Sequence, residues 1–149
     1  MKKTMFVLVA MVILSGCASQ LKLACTIHPR FNTEYQSSVG QTFMKKGVCA
    51  TKEEWRGLAG GGMVRLTECF SAELLYLGKF GDTIRVGYRE YAKDMARPAY
   101  SMEVTYPANA GKITFRNTVI EITEIGTDYI KYKLIDTPID AKCTSIEFQ

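Results

Sequence analysis

The chain has 149 residues, 47% hydrophobic and 23% charged, a balance that suits one folded domain and excludes a disordered segment. Its formal net charge is +4, but Lys2 and Lys3 sit at the extreme N-terminus, and without them 17 basic residues face 15 acidic ones, a charge of +2. So small an excess gives no argument for a nucleic-acid partner.

Behind Lys2-Lys3, Met5–Leu14 is the only long apolar run. It is too short to span a bilayer as a mature helix. A basic start, a short apolar stretch and small residues at its end match a secretory signal. The run closes on Leu14-Ser15-Gly16-Cys17. This tetrapeptide resembles the lipobox of bacterial lipoproteins, in which the signal is cut just before a cysteine that becomes the lipidated first residue. The resemblance implies a signal peptide over residues 1–16, acyl chains such as palmitate on Cys17, a tether over 17–22 and a single domain over 23–149. One acyl chain anchors only marginally, at about 0.8 kcal/mol per buried methylene, whereas the two or three implied here hold permanently. In Gram-negative members of that class an aspartate after the cysteine retains the protein at the inner membrane. Here the residue is Ala18, so the expected location is the outer membrane, facing the periplasm.

Export also frames the cysteines. The chain has five, and with Cys17 taken by lipid Cys25, Cys49, Cys69 and Cys143 remain. An even number in an oxidising compartment points to two disulfides, with three possible pairings that sequence alone does not separate. The preferred pairing is Cys49–Cys69 as a local loop, with Cys25–Cys143 tying the two ends together.

From Leu23 to Gly47 the signals are mixed. Arg30–Tyr35 and Val39–Met44 read as strands, with Ser37-Ser38 and Lys46-Gly47 as turns. Thr51-Lys52-Glu53-Glu54 has the form of a capping box. It predicts one short helix near residues 52–58, anchored in the core by Trp55 and ended by Gly57 or by Gly60-Gly61-Gly62. From Met63 onward the chain becomes β-like. Ala72–Lys79 leads into a Gly81-Asp82 turn, and Thr83–Tyr91 alternates with Ile84, Val86 and Tyr88 on one face. A loop or helical turn over Ala92–Pro98 precedes Ala99–Tyr106, with Met102, Val104 and Tyr106 on one side. Pro107–Gly111 turns the chain, and Lys112–Arg116 points Ile113 and Phe115 inward before a tight turn at Asn117. Thr118–Ile125 places Ile120 and Ile122 together. After Gly126-Thr127-Asp128, Tyr129–Ile135 does the same with Ile130, Tyr132 and Leu134. The predicted class is all-β: a small antiparallel meander closing into a barrel or sandwich.

Motifs for chemistry are sparse. His28 is the only histidine, so multi-histidine metal centres and serine-type triads are excluded. Cys25-x-x-His28 has half the ligands of a structural zinc site and reads instead as a loop histidine next to Pro29. Gly60-Gly61-Gly62 lacks the Gly-Lys-Ser/Thr of a phosphate loop. Glu53 and Glu54 lie at the expected helix start, and Glu103, Glu121 and Glu124 lie on strands as solvated residues. Nothing brings two of them to the separation a glycosidase needs. No cofactor or metal site is expected.

The richest recognition stretch is Arg85-Val-Gly-Tyr-Arg89-Glu90-Tyr91 with Lys93, Asp94, Arg97 and Tyr100. Arg85 and Arg89 share a strand face across Gly87, which leaves a flat gap, and Arg with Tyr is the composition of interface hot spots. The binding residues read from this stretch are Arg85, Arg89, Tyr91 and Arg97. The competing reading pairs Arg89 and Arg97 with Glu90 and Asp94 in a structural network. The expected function is a non-enzymatic binding or scaffold module, lipid-anchored and contacting another envelope protein or glycan. In size, anchor and β-rich disulfide-bonded style the chain also resembles small lipoprotein inhibitors of lysozyme, though their short loop motifs are missing. That resemblance gives the alternative of an inhibitor or exclusion factor acting through Gly57–Met63 or Ala92–Pro98. An envelope hydrolase is the third reading.

Overall fold

A computed structural model describes residues 21–56, 61–92, 97–139 and 143–148. Residues 1–20, which include the expected signal peptide, Cys17 and Ala18, lie outside them, as do residues 57–60 and 93–96. The described residues form ten strands: β1 (Lys22–His28), β2 (Glu34–Ser38), β3 (Thr42–Arg56), β4 (Gly62–Phe80), β5 (Thr83–Ala92), β6 (Tyr100–Pro107), β7 (Lys112–Phe115), β8 (Thr118–Ile125), β9 (Tyr129–Asp136) and β10 (Ser145–Phe148). The all-β expectation holds.

The strands make a six-stranded sheet ordered β10-β1-β3-β4-β5-β6 and a four-stranded sheet ordered β2-β9-β8-β7. Every ladder is antiparallel except β1–β10. No ladder joins one sheet to the other, so the structure is not closed into a barrel. The core lies between them. Ile27, Met44, Leu74, Tyr76, Ile84, Val86 and Tyr88 of the larger sheet meet Ile113, Ile120, Ile130, Tyr132 and Leu134 of the smaller.

Period-two alternation delivers these residues. On β9, Ile130, Tyr132 and Leu134 are 0%, 1% and 0% exposed, and each such burial contributes about 1.5–3 kcal/mol. A bulge between Thr42 and Met44 interrupts the alternation of β3, and the adjacent Phe43 and Met44 are both buried. Phe43 meets the edge of the Tyr132 ring, with centroids 5.3 Å apart. The predicted tight turns stand as expected. Gly81, at φ 59°, and Asp82 join β4 to β5, and Arg116 and Asn117, at φ 46° and 62°, join β7 to β8. Two positive φ values suit the twist of a hairpin.

Five local expectations are corrected. The helix near residues 52–58 is absent: Lys52–Arg56 continue β3, and residues 57 and 58 lie outside the described part. A capping box is a local signal, and here cross-strand pairing outweighs it. Thr51 and Thr67 stand opposite with hydroxyls 3.3 Å apart, and Arg65 donates to Glu53 at 2.9 Å. Ser37-Ser38 ends β2 rather than turning, because the buried Ser37 hydroxyl lies 3.3 Å from that of Tyr132. Lys46-Gly47 lies within β3, where a Cβ on Gly47 would stand 2.5 Å from the Thr26 hydroxyl of β1. Close strand approach, and not turning, requires that glycine. Lys22, expected at the end of the tether, opens β1. Arg30–Tyr35 likewise contributes only Glu34 and Tyr35 to β2.

Both preferred disulfides form. Cys49–Cys69 bridges directly opposed residues of β3 and β4, and Cys25–Cys143 joins β1 to the segment before β10 across 118 residues. In the chain-entropy account the long loop contributes about 5 kcal/mol and the 20-residue loop about 3 kcal/mol. Replacing Cys25 and Cys143 by alanine is therefore expected to lower the urea midpoint more than replacing Cys49 and Cys69, and equal losses would contradict that ordering. The Tyr76 hydroxyl is buried with no hydrogen-bond partner among the described residues. Tyr76→Phe is expected to leave stability unchanged or raise it by about 1 kcal/mol in equilibrium unfolding.

Candidate functional site

The two sheets are unequal, and the site follows from that. On β4 the residues on the face of the smaller sheet are Val64, Leu66, Glu68, Phe70, Ala72, Leu74 and Tyr76, an alternation kept intact because the extra residue of the bulge, Phe43, is on β3. Leu74 and Tyr76 are in the core, and Ala72 packs against its margin. Beyond Ala72 the cover ends, and Phe70 is 49% exposed. Opposite Phe70 stand Val48 on β3 and Ala92 on β5. A groove of about 260 Å³ opens here, lined by Val48, Phe70, Ala72, Tyr91, Ala92 and Ala99 with Lys46, Ser71 and Glu90 at its polar margin.

A second cavity of about 210 Å³ adjoins it through Lys46 and Ala72 and reaches the edge of the core at Met44, Leu74, Tyr88 and Phe115. Its wall is a three-residue clamp. Tyr88 donates to Glu90 at 2.5 Å, and Arg116 donates to the Tyr88 hydroxyl at 2.7 Å and also to the Glu90 carboxylate. The Arg116 guanidinium lies over the Tyr88 ring, 4.6 Å from its centre. Arg116 reaches this position from a left-handed backbone, a conformation that costs a non-glycine residue about 1–2 kcal/mol. Lys46 donates to the Pro138 carbonyl and so draws the segment after β9 against the same wall.

The electrostatics of the clamp are one-sided. Burial first, and then its bond to Glu90, push the Tyr88 phenol above its ordinary range. The Tyr88 hydroxyl, followed by Arg116, holds Glu90 below the usual carboxylate range. Both shifts move away from neutrality, where a general acid or base is most effective. The clamp thus holds a fixed ion pair and a neutral phenol at pH 7, and it braces the groove wall.

The residues read from the sequence fall on two sides. Arg85 and Arg89 are exposed on the outer face of β5, away from the smaller sheet. Arg85 lies 3.4 Å from Glu103 and stacks over Phe80 at 4.3 Å. The gap expected at Gly87 is filled by Leu77, whose methyl lies 3.3 Å from the place of a Cβ. Tyr91 is half-buried on the groove rim, and Arg97 is exposed. Glu90 pairs with Arg116 rather than with Arg89 or Arg97, and Asp94 lies outside the described residues. His28 ends β1, half-buried with its ring 5.7 Å from Tyr35, not in an exposed loop. Cys25 is in a disulfide, so it forms no thiolate pair with His28. Among the described residues no three His, Cys, Asp or Glu side chains converge as a metal site. Arg116, Val48 and Phe70 were not singled out from the sequence. A run of apolar residues alternating through Met63–Phe70 was the available signal for the last of them.

No protein-family model matches the chain, and neither a curated protein nor a solved structure is similar to it. The site is therefore read from its own chemistry.

The clamp gives a pH prediction. The folded-state value of Tyr88 lies above its unfolded value of about 10, so its contribution is complete below that pH and is lost as pH rises through the folded value. Glu90→Gln is expected to lower the ionisation midpoint of one tyrosine in an ultraviolet titration. An unchanged titration curve would contradict the clamp.

Proposed function

We propose that this chain is a lipid-anchored envelope protein, held at the outer membrane through Cys17 on the periplasmic side, whose domain binds another envelope protein without catalysis. The observation that carries the binding reading is the open groove. Its floor and walls are Val48, Phe70, Ala72, Ala92 and Ala99, left uncovered where the smaller sheet ends. Such a lining favours apolar side chains of a protein over the hydroxyls of a glycan. Tyr91 on the rim and the ion pair Arg116–Glu90 nearby supply a polar border. The two disulfides fit an exported protein in an oxidising compartment.

A second reading, the inhibitor, is favoured by one feature. The ladder of β1 on β3 stops at Thr51 and that of β5 on β4 stops at Phe70, so Lys52–Arg56 and Gly62–Leu66 extend as a two-stranded arm. A protruding arm is the shape that plugs a foreign cleft. Stoichiometric excess of the purified domain is expected to slow lysozyme on that reading alone.

The primary reading is tested in cells. Labelled palmitate is expected on the wild-type chain and not on Cys17→Ser, which is also expected to leave the membrane fraction. Photo-crosslinking residues placed at Phe70 or Ala92 are expected to trap one protein. Trapping from Arg85, Arg89 and Arg97 in their place would move the contact to the outer arginine face.

A further inference from the structure

The arm has a feature that the groove does not explain. Met63, Val64 and Leu66 are 61%, 38% and 37% exposed, large apolar side chains on strands with no neighbour beyond each other among the described residues. Trp55, the chain's single tryptophan, stands opposite Met63 in the backbone register. An exposed apolar two-stranded ribbon is costly in water and normally meets a partner.

Chain direction indicates which partner. β1 runs antiparallel to β3 and begins opposite Thr51, so the chain leading back to Cys17 leaves the sheet at the end from which the arm projects. The reaches also agree. From Thr51 to Arg56 the arm extends five residues at about 3.4 Å each, or about 17 Å. From Lys22 back to Cys17 there are likewise five residues, which span at most about 18 Å when extended. An acylated Cys17 at the bilayer surface therefore leaves room for the end of the arm to reach the same surface.

Charge is consistent with that destination. Lys52 pairs with Glu54, and Arg65 pairs with Glu53 at 2.9 Å, so these four charges of the arm cancel. Arg56 leaves the arm with one net positive charge, which favours the boundary of headgroups and acyl chains beside its exposed apolar side chains.

We infer that the β3–β4 arm is a second membrane contact, which dips end-on into the phospholipid surface that holds Cys17, with Met63 on one face of the ribbon and Val64 and Leu66 on the other. The inference rests on the lipid-anchor reading and deepens it. Two points of attachment fix the orientation of the domain, where a lone acylated tether would let it swivel.

The test uses the full lipidated chain in vesicles of phosphatidylcholine brominated on the acyl chains, with Trp55 emission as the readout. Wild-type emission is expected to be quenched by about twofold or more relative to unbrominated vesicles. Met63→Asp combined with Leu66→Asp is expected to abolish quenching while the chain stays vesicle-bound through Cys17. Both positions are exposed, and intact disulfides with an unchanged far-ultraviolet spectrum confirm the fold. The milder pair Met63→Ser and Leu66→Ser is expected to quench to an intermediate degree. Acyl chains on Cys17 by mass spectrometry without quenching would overturn the arm contact and leave the anchor standing. So would equal quenching in the wild type and the aspartate variant. Absence of acyl chains on Cys17 would overturn both.

Discussion

The ladder between β3 and β4 is the interaction on which the rest of the molecule depends. It runs from Thr42 opposite Leu75 to Arg56 opposite Gly62, with the Cys49–Cys69 bond pinning its middle. On one side of that bond the two strands are flanked by β1 and β5 and carry Met44, Leu74 and Tyr76 into the core. On the other side, beyond Thr51 and its partner Thr67, they continue alone. One pair of strands is therefore scaffold at one end and surface at the other. The covalent bond at the crossing point keeps the register of both halves, since a one-residue slip would turn every core side chain outward.

The asymmetry of the sheets turns this spine into a site. Four short strands cannot cover a sheet whose central strands have 15 and 19 residues. The uncovered strip is apolar near the core margin, at Phe70 and Val48, and along the arm it carries Leu66 and Val64 beside the charged Glu68, Lys52 and Glu54. Polar groups border the strip at Tyr88, Glu90 and Arg116, where a phenol and an ion pair satisfy one another. A fixed, neutralised border of this kind limits the penalty of bringing an apolar partner alongside, because its charges already have partners.

Much of the second half was legible in the sequence, and the reason is local. β5 alternates from Ile84 to Tyr88, β8 and β9 alternate between their bulges, and Gly81-Asp82, Asn117 and Gly126 bound them, so period and turn chemistry agree. The first half was not, because its structure is decided by partners far along the chain. Thr51–Glu54 satisfies a helix-capping rule and yet is held extended by Thr67 and Arg65. Gly47 resembles a turn glycine until Thr26 of β1 is placed beside it. The site was partly hidden for the same reason. Arg85 and Arg89 were visible as a charged pattern, whereas Arg116 meets Glu90 only across 26 residues. The number of disulfides, by contrast, was legible from four remaining cysteines, while the choice among three pairings needed the fold.

For the lipid tether proposed at Cys17, the Cys25–Cys143 bond would have a mechanical consequence. A pull on the tether loads β1 along its length, in shear against β3 on one side and the parallel β10 on the other. Only Lys22, Leu23 and Ala24 precede the disulfide on that strand, so peeling stops at the third residue. From there the tension enters a covalent bond and is divided between β1 and the C-terminal strand beside it. The proposed attachment would thus be fastened to β1 and β10 at once, and the core behind Ile27 would be shielded from the force.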